Sequence, residues 1–156
     1  MTLINQRLKN ENFSFRKMII DDLDLLRENK NNNKEFFFLK EDITPKKQLE
    51  WFEYMQEQKD NFMFIFLDCA DNKFGCIGYR KINNVVDIYN VMRFGISNVP
   101  MHKCLNKIIE DIEKKYESLP IQVLVLENNP AIKWYEKNGF NIVEHKDNFV
   151  KMILKK

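Results

Sequence analysis

The residues best placed to do chemistry lie between Leu124 and Phe140, in the stretch LVLENNPAIKWYEKNGF. Ile121, Val123 and Val125 form a short run rich in β-branched residues, which suits a strand covered on both faces and ending near Glu127. Asn128 and Asn129 can cap a helix with their side-chain oxygens, and Pro130 fits a first helical position, where no backbone donor is needed. The helix then runs from about Ala131 to Gly139, a residue that stops helices by entering the left-handed region. Tyr135 falls four residues after Ala131, on the same helical face. It brings a phenol that stays protonated at neutral pH, or alternatively a core aromatic of an amphipathic helix. Cys104, near a second helix start, has the position in which a thiol loses its proton more readily, although no His–Asn pair accompanies it. The carboxylates Asp87, Glu41 and Asp42, with Tyr89, are the candidates for proton abstraction. Only two histidines are present, His102 and His145, far apart and without a carboxylate pattern around them, so no metal is expected. A Ser-His-Asp hydrolase is equally unsupported, since the G-x-S-x-G turn is missing.

The elements that must position these groups follow from periodicity and punctuation. Alternation predicts a first strand over Phe13 to Ile19, then a short helix from about Asp21 or Asp22 carrying Leu23, Leu25 and Leu26. Arg27 to Lys34, RENKNNNK, is polar and of low complexity and is expected to be a mobile loop. Thr44 as cap and Pro45 as first residue open a helix to about Gln58, whose Leu49, Phe52 and Met55 form a stripe that Trp51 and Tyr54 widen. Phe62 to Leu67 and Gly75 to Ile82 form an expected hairpin around Asp71-Asn72, and Asn83-Asn84 turns into a strand from Val85 to Ser97. A helix from about His102 to Tyr116, with Leu105, Ile108, Ile109 and Ile112 at helical spacing, precedes the strand at Ile121. Strands at Phe140 to Val143 and Asn148 to Leu154 close the chain.

Asn128, Ala131, Tyr135, Glu136, Lys137, Gly139 and Phe140 resemble the closing motif of the GNAT superfamily of acyl-CoA-dependent N-acyltransferases, an Asn, then Ala, then Tyr, often followed by Glu-Lys-x-Gly-Phe. The order of expected elements is similar over nearly the whole chain. The resemblance implies a single α/β (α+β) domain over residues 1–156, with a mixed, mostly antiparallel sheet of about six to seven strands and about four flanking helices. It also implies a splayed parallel pair, the strands ending near Ser97 and Glu127, between which acetyl-CoA enters as acyl donor. Direct transfer to a primary amine would then use backbone N–H groups near Ile96 and Ser97 for the developing oxyanion and Tyr135 to protonate the leaving thiolate. Asn128 and Ala131 would contact the cofactor. Enzymes of this kind usually carry Q/R-x-x-G-x-G/A before the following helix, a turn whose N–H groups hold the CoA pyrophosphate. At the matching place stand Met101, His102, Lys103, Cys104, Leu105 and Asn106, so both glycine positions hold larger residues. Two consequences stay open: an anion grip built from N–H groups, the helix dipole and the charge of His102 or Lys103, or a fold that has lost its cofactor.

Composition bounds the partners. A chain of 156 residues with 44% hydrophobic residues suffices for one sizeable core. Its 25 basic and 23 acidic residues are interspersed and leave a net charge of +2, which implies no face for nucleic acid. Cys69, Cys76 and Cys104 form no CxxC pair, and the reducing cytoplasm is the expected compartment. The beginning MTLINQRLKNENF lacks the apolar run of a signal peptide, and no stretch is apolar for the roughly 18 residues that a membrane span takes. The acceptor suggested by the resemblance is an amino group on a nucleotide-linked sugar, with Phe36, Phe37, Phe38, Trp51 and Tyr54 available to stack on a base or sugar. A protein or peptide amine, a non-catalytic GNAT-fold binding module, and association into a homodimer are the further expectations.

Overall fold

In the strand Asn61–Asp68 every residue from Met63 to Phe66 is buried, so both faces of the sheet to which it belongs must be covered by other elements. The computed structural model describes residues 12–156, and the expectation about a leader segment rests largely on residues outside that range. The described residues form seven strands: β1 (Phe13–Lys17), β2 (Asn61–Asp68), β3 (Lys73–Ile82), β4 (Val85–Arg93), β5 (Ile121–Leu126), β6 (Phe140–Lys146) and β7 (Phe149–Leu154). They make one sheet in the order β1-β2-β3-β4-β5-β7-β6. All pairings are antiparallel except β4 with β5.

Among the described residues four α-helices cover the two faces: α1 (Leu23–Asn32), α2 (Pro45–Glu57), α3 (Met101–Lys115) and α4 (Ala131–Lys137). Strand alternation sorts the core between them. Phe64, Phe66, Ile77, Tyr79, Val86 and Ile88 pack with Leu105, Ile108 and Ile112 of α3 and with Tyr135 of α4. Met63, Ile65 and Cys76 pack on the opposite face with Leu23 and Leu26 of α1 and Phe52 and Met55 of α2.

The parallel pair is short. Val86, Asp87 and Ile88 oppose Ile121, Gln122 and Val123, and there the pairing stops, although β4 continues to Arg93 and β5 to Leu126. A bulge in β4 accompanies the parting: Tyr89 opposes Gly78 and Met92 opposes Cys76, so β4 spends one residue more than β3. Asn90 sits within this bulge at φ +52°, and its carbonyl accepts a hydrogen bond from the Cys76 thiol at 3.2 Å. Meanwhile β5 keeps its other edge on β7 up to Leu126 opposite Phe149. The two strands therefore open into a wedge.

Several sequence expectations are corrected. Arg27 to Lys34 is not a loop, because α1 continues to Asn32 and a 3-10 turn follows over Lys34–Phe36. The asparagines that suggested a loop hold this end together instead: Asn29 Nδ2 donates to the Leu25 carbonyl and Asn33 Nδ2 to that of Asn29, both at 2.9 Å. Asn31 pairs twice with the backbone of Ile43, accepting at 2.7 Å and donating at 3.1 Å. Strand β4 ends at Arg93, not Ser97. Gly95 turns the chain at φ +56°, and the Arg93 guanidinium donates to the carbonyls of Ser97 (2.5 Å) and Val99 (2.7 Å), folding residues 94–100 back on themselves. At α4, Pro130 occupies the cap position, while Asn129 Oδ1 accepts from the Ala131 N–H at 2.9 Å. The start of α2 is as expected, with Thr44 Oγ1 accepting from the Lys47 N–H and Pro45 in the first turn.

Candidate active site

The wedge between β4 and β5 opens into a cavity of about 450 Å³. Its walls come from distant parts of the sequence: Asp87 and Tyr89 of β4, Val123 and Val125 of β5, and Ala131, Trp134 and Tyr135 of α4. Arg80 of β3, Lys30 of α1, Trp51 of α2 and the segment Phe36 to Leu39 complete it on the side of α1 and α2. A second cavity of about 260 Å³ adjoins it, sharing Lys30, Leu39, Trp51 and Asn90 and rimmed by Glu41 and Asp42.

Helical spacing brings Ala131 and Tyr135 to the same wall. The Tyr135 ring is 5% exposed and packs edge-on against Trp134 at 5.0 Å and Phe140 at 5.6 Å between centroids. Its hydroxyl makes no hydrogen bond among the described residues. Burial, helped by the charge of Asp87, pushes the phenol well above the ordinary tyrosine range. Tyr135 is therefore a protonated donor with no acceptor for its hydrogen among the described residues.

Across the cavity, Asp87 is 3% exposed and held at both oxygens: Arg80 Nε donates to Oδ2 and Gln122 Nε2 to Oδ1, each at 3.2 Å. Register explains both partners, because Arg80 and Gln122 are the cross-strand neighbours of Asp87 on β3 and β5. Burial raises the Asp87 pKa, with Gln122 and Arg80 opposing the shift. Such a carboxylate is a better base than an exposed one. The Tyr89 hydroxyl donates to Asn61 Oδ1 at 2.5 Å, the Arg80 guanidinium stacks 4.5 Å over its ring, and burial pushes its pKa up to about 12. Gly78 makes room for that ring: a Cβ there would lie 3.1 Å from Tyr89 and 2.6 Å from Met63 Sδ. Lys30 projects into the cavity with its ammonium 5.2 Å over the Phe37 ring, and burial lowers its pKa.

The structure brings Tyr135, Ala131, Asp87, Tyr89 and the Phe36–Phe38 and Trp51 aromatics to one cavity. Ile96 and Ser97 do not line it; Ile96 is 96% exposed, and Ser97 belongs to the turn tied by Arg93. The part of β4 that borders the opening is Tyr89 to Val91, beyond its pairing with β5, so the bared backbone groups come from there. Met101 to Asn106 form the first turns of α3, again outside the cavity lining. Cys104 and Leu105 are fully buried in the core, so neither presents a surface to a ligand. Burial also raises the Cys104 thiol to about 12, opposite to what a nucleophile needs. Met101 packs on Gly75, whose missing Cβ would lie 3.0 Å from its Sδ, while His102 and Asn106 are exposed. No side chain caps this helix, so the first-turn N–H groups of Met101 and His102 lack intrahelical partners. Asn128 is exposed and donates to the Glu35 carbonyl at 3.3 Å, whereas its neighbour Asn129 reaches the cavity. Tyr54, expected to stack on a base or sugar, is 60% exposed and does not line the cavity. Glu41 and Asp42 border the adjoining cavity, and Asp42 is paired with Lys34 at 3.1 Å.

Lys30, Arg80 and Trp134 reach the cavity without having been singled out from the sequence, and Asn129, read there only as a helix cap, reaches it too. Trp134 was legible, three residues after Ala131 on a short helix. Arg80 needed the β3–β4 register and Lys30 needed the true end of α1.

No family profile matches this sequence, and no curated protein matches it in sequence. Solved structures do match. A spermidine N-acetyltransferase from Vibrio cholerae, in complex with CoA and spermine, superposes with a TM-score of 0.75 at 18% identity, covering 91% of this chain and 94% of that one. The Campylobacter jejuni N-acetyltransferase PseH gives 0.71 at 14% identity, over 92% and 98% of the two chains. FdhC, a nucleotide-linked sugar GNAT, gives 0.69 at 14% identity, over 92% and 86%. The mixed sheet, its single parallel pair and its helices are those of the GNAT fold.

Proposed function

We propose that this GNAT-fold chain is an N-acetyltransferase that moves an acetyl group from acetyl-CoA directly to a primary amine of a small molecule. The observation that carries the proposal is the Tyr135 hydroxyl, protonated and without a hydrogen-bond partner among the described residues, lining the same cavity as the buried carboxylate of Asp87. The residues fit the reactive end of an acyl-CoA: the wedge is about 450 Å³, its α4 wall is opened by the small Ala131, and Val123 and Val125 give it an apolar flank. The uncapped start of α3, with Met101, His102 and Lys103, is the anion grip we propose for the pyrophosphate.

Acetyl-CoA, when bound, supplies an acyl group activated as a thioester. Asp87 takes a proton from the incoming ammonium, which matters because only about one Lys-like amine in a few thousand is neutral at pH 7. Backbone N–H groups of Tyr89 to Val91 stabilise negative charge at the carbonyl oxygen. Tyr135 gives its proton to the departing sulfur and regains one from the nitrogen of the collapsing adduct, while Asp87 passes the first ammonium proton to solvent, so the transfer ends with an amide, a free thiol and both side chains restored. Cys104, buried and protonated, forms no acyl intermediate.

For the acceptor we propose the amino group of a nucleotide-linked sugar, supported by the aromatic wall of Phe37, Phe38 and Trp51. A second reading, a binding module without turnover, is favoured by the glycine-free start of α3. Amine-dependent release of CoA thiol separates the two, measured above the constant background of exposed Cys69 and checked by mass of the N-acetyl product. Turnover of a small amine supports the enzyme; no release from any sugar, peptide or alkyl amine at millimolar acetyl-CoA overturns it.

A further inference from the structure

Lys30 is one of the few half-buried lysines among the described residues. Lys34, Lys73, Lys107, Lys115 and Lys146 each lie within salt-bridge distance of a carboxylate. Lys30 has no such partner among the described residues, although it is half-buried where the two cavities meet. Its ammonium rests over the face of Phe37, which offsets part of the charge but accepts none of its three N–H hydrogens in a conventional hydrogen bond. The neighbouring charge of Arg80 repels it, and burial lowers its pKa. Gln48 lines the adjoining cavity beside it and is 3% exposed. Arg27 donates to Gln48 Oε1 at 3.2 Å, so the amide N–H₂ of Gln48 has no acceptor among the described residues. A half-buried cation and an amide donor that is open to the cavity share one wall. Glu41, Asp42 and Lys47 also border this cavity, but all three are exposed and Asp42 is engaged by Lys34.

We infer that the acceptor amine carries an anionic group, a carboxylate or a phosphate, which Lys30 and Gln48 bind at the junction of the two cavities. The inference rests on the acyl-transfer reading above and narrows its substrate. The anion supplies acceptor oxygens to the Lys30 ammonium and to the Gln48 amide where it opens on the cavity, and the body of the molecule lies against Phe37 and Trp51 with its amine toward Asp87 and Tyr135. A polycationic amine is disfavoured, because Lys30 and Arg80 meet it and the cavity's own carboxylate, Asp87, is already held by Arg80 and Gln122.

The test uses matched acceptors on the intact protein: L-phenylalanine against L-phenylalaninamide for a carboxylate, glucosamine 6-phosphate against glucosamine for a phosphate, and spermidine as the polycation. Affinities are read by ligand-observed NMR, which needs no turnover, for wild type, Lys30→Met and Lys30→Arg. In at least one pair the anionic member should bind about tenfold tighter than its neutral partner, about 1.4 kcal/mol. Lys30→Met should cut that ratio to about twofold and Lys30→Arg should keep most of it, as a charge-assisted bond requires. Which pair shows the preference distinguishes carboxylate from phosphate. Equal binding within both pairs, no binding of either anion at millimolar concentration, tighter binding of spermidine, or a ratio unchanged in Lys30→Met would each overturn the inference. A melting shift with acetyl-CoA on the same samples keeps the two claims apart: a shift without anion preference removes this inference alone, and no shift removes the acyl-transfer reading.

Discussion

Replacing Tyr135 by Phe takes one oxygen from the wall of the wedge and leaves the ring that packs on Trp134 and Phe140. The hydroxyl makes no hydrogen bond among the described residues, so removing it breaks no protein contact, and the change in stability should stay below about 1 kcal/mol. The loss should fall on turnover. A positioned proton donor contributes about 10²- to 10⁴-fold, so kcat should drop by that factor, about 2.7–5.4 kcal/mol of barrier. Acetyl-CoA affinity should change by less than about twofold, because the phenol acts on the departing sulfur and not on the bound ground state. Burial holds this phenol above the ordinary tyrosine range, so its ionisation should impose no basic limb on the wild-type rate below about pH 10. Thiol release at saturating acetyl-CoA and amine, with a thermal melt of each protein, reads all three quantities. A kcat within about threefold of wild type, or equal losses in affinity and turnover, would refute the donor role.

Further consequences follow from the same geometry. Asp87→Asn should lower kcat/KM by about 10²-fold or more and abolish the acidic limb of the pH–rate profile. In wild type that limb should lie above the ordinary carboxylate range, since burial raises the Asp87 pKa; an unchanged profile in the variant would place the base elsewhere. Because the folded carboxyl holds its proton more tightly than the unfolded one, Asp87 stabilises the fold below its ordinary pKa, and that contribution is lost as pH rises through the raised value. Asp22 behaves in the opposite sense. Burial alone would raise its pKa, but Arg16 (2.7 and 3.1 Å), the Ile19 N–H (2.9 Å) and Lys73 (2.6 Å) bring it down to about 2. Its contribution is present above the ordinary value of 3.8 and is lost as pH falls toward about 2. Asp22→Asn strands two cations and should cost about 3 kcal/mol in a urea melt; a cost below about 1 kcal/mol would show that the cluster is not stabilising. Gly78→Ala should cost about 1–3 kcal/mol and raise KM for the amine, because the new Cβ meets Met63 and the Tyr89 ring; unchanged values would mean that Tyr89 needs no such room.

What the sequence disclosed, and what it withheld, divides by range. Local chemistry was legible: Thr44-Pro45 opens α2, Gly139 closes the turn after α4 at φ +93°, and the spacing of Ala131 and Tyr135 sets them on one wall. Phe64, Phe66 and Ile77 face one core and Met63, Ile65 and Cys76 the other, a division that the uniformly apolar run Phe62 to Leu67 does not disclose. The long-range facts were hidden. The bulge at Asn90 appears only when β4 is laid against β3, and without it the bared backbone was expected near Ile96 instead of Tyr89 to Val91. Arg27 to Lys34 has the composition of a loop, yet Asn31 is satisfied by Ile43, twelve residues away, and that tertiary pairing secures the helix that delivers Lys30. Asp87 could be named as a candidate, but its tuning depends on Arg80 and Gln122, which only strand register sets beside it.

Binding of acetyl-CoA in the β4–β5 wedge is the central claim, and differential stability of wild type and Ala131→Trp tests it most directly. At a hundred times its dissociation constant, acetyl-CoA should stabilise the wild-type fold by about 2.7 kcal/mol. Ala131 is partly exposed on the cavity wall, so the tryptophan should fill the wedge without unfolding the protein and should abolish that gain. No stabilisation of wild type at millimolar acetyl-CoA, or equal stabilisation of the two proteins, would contradict the account.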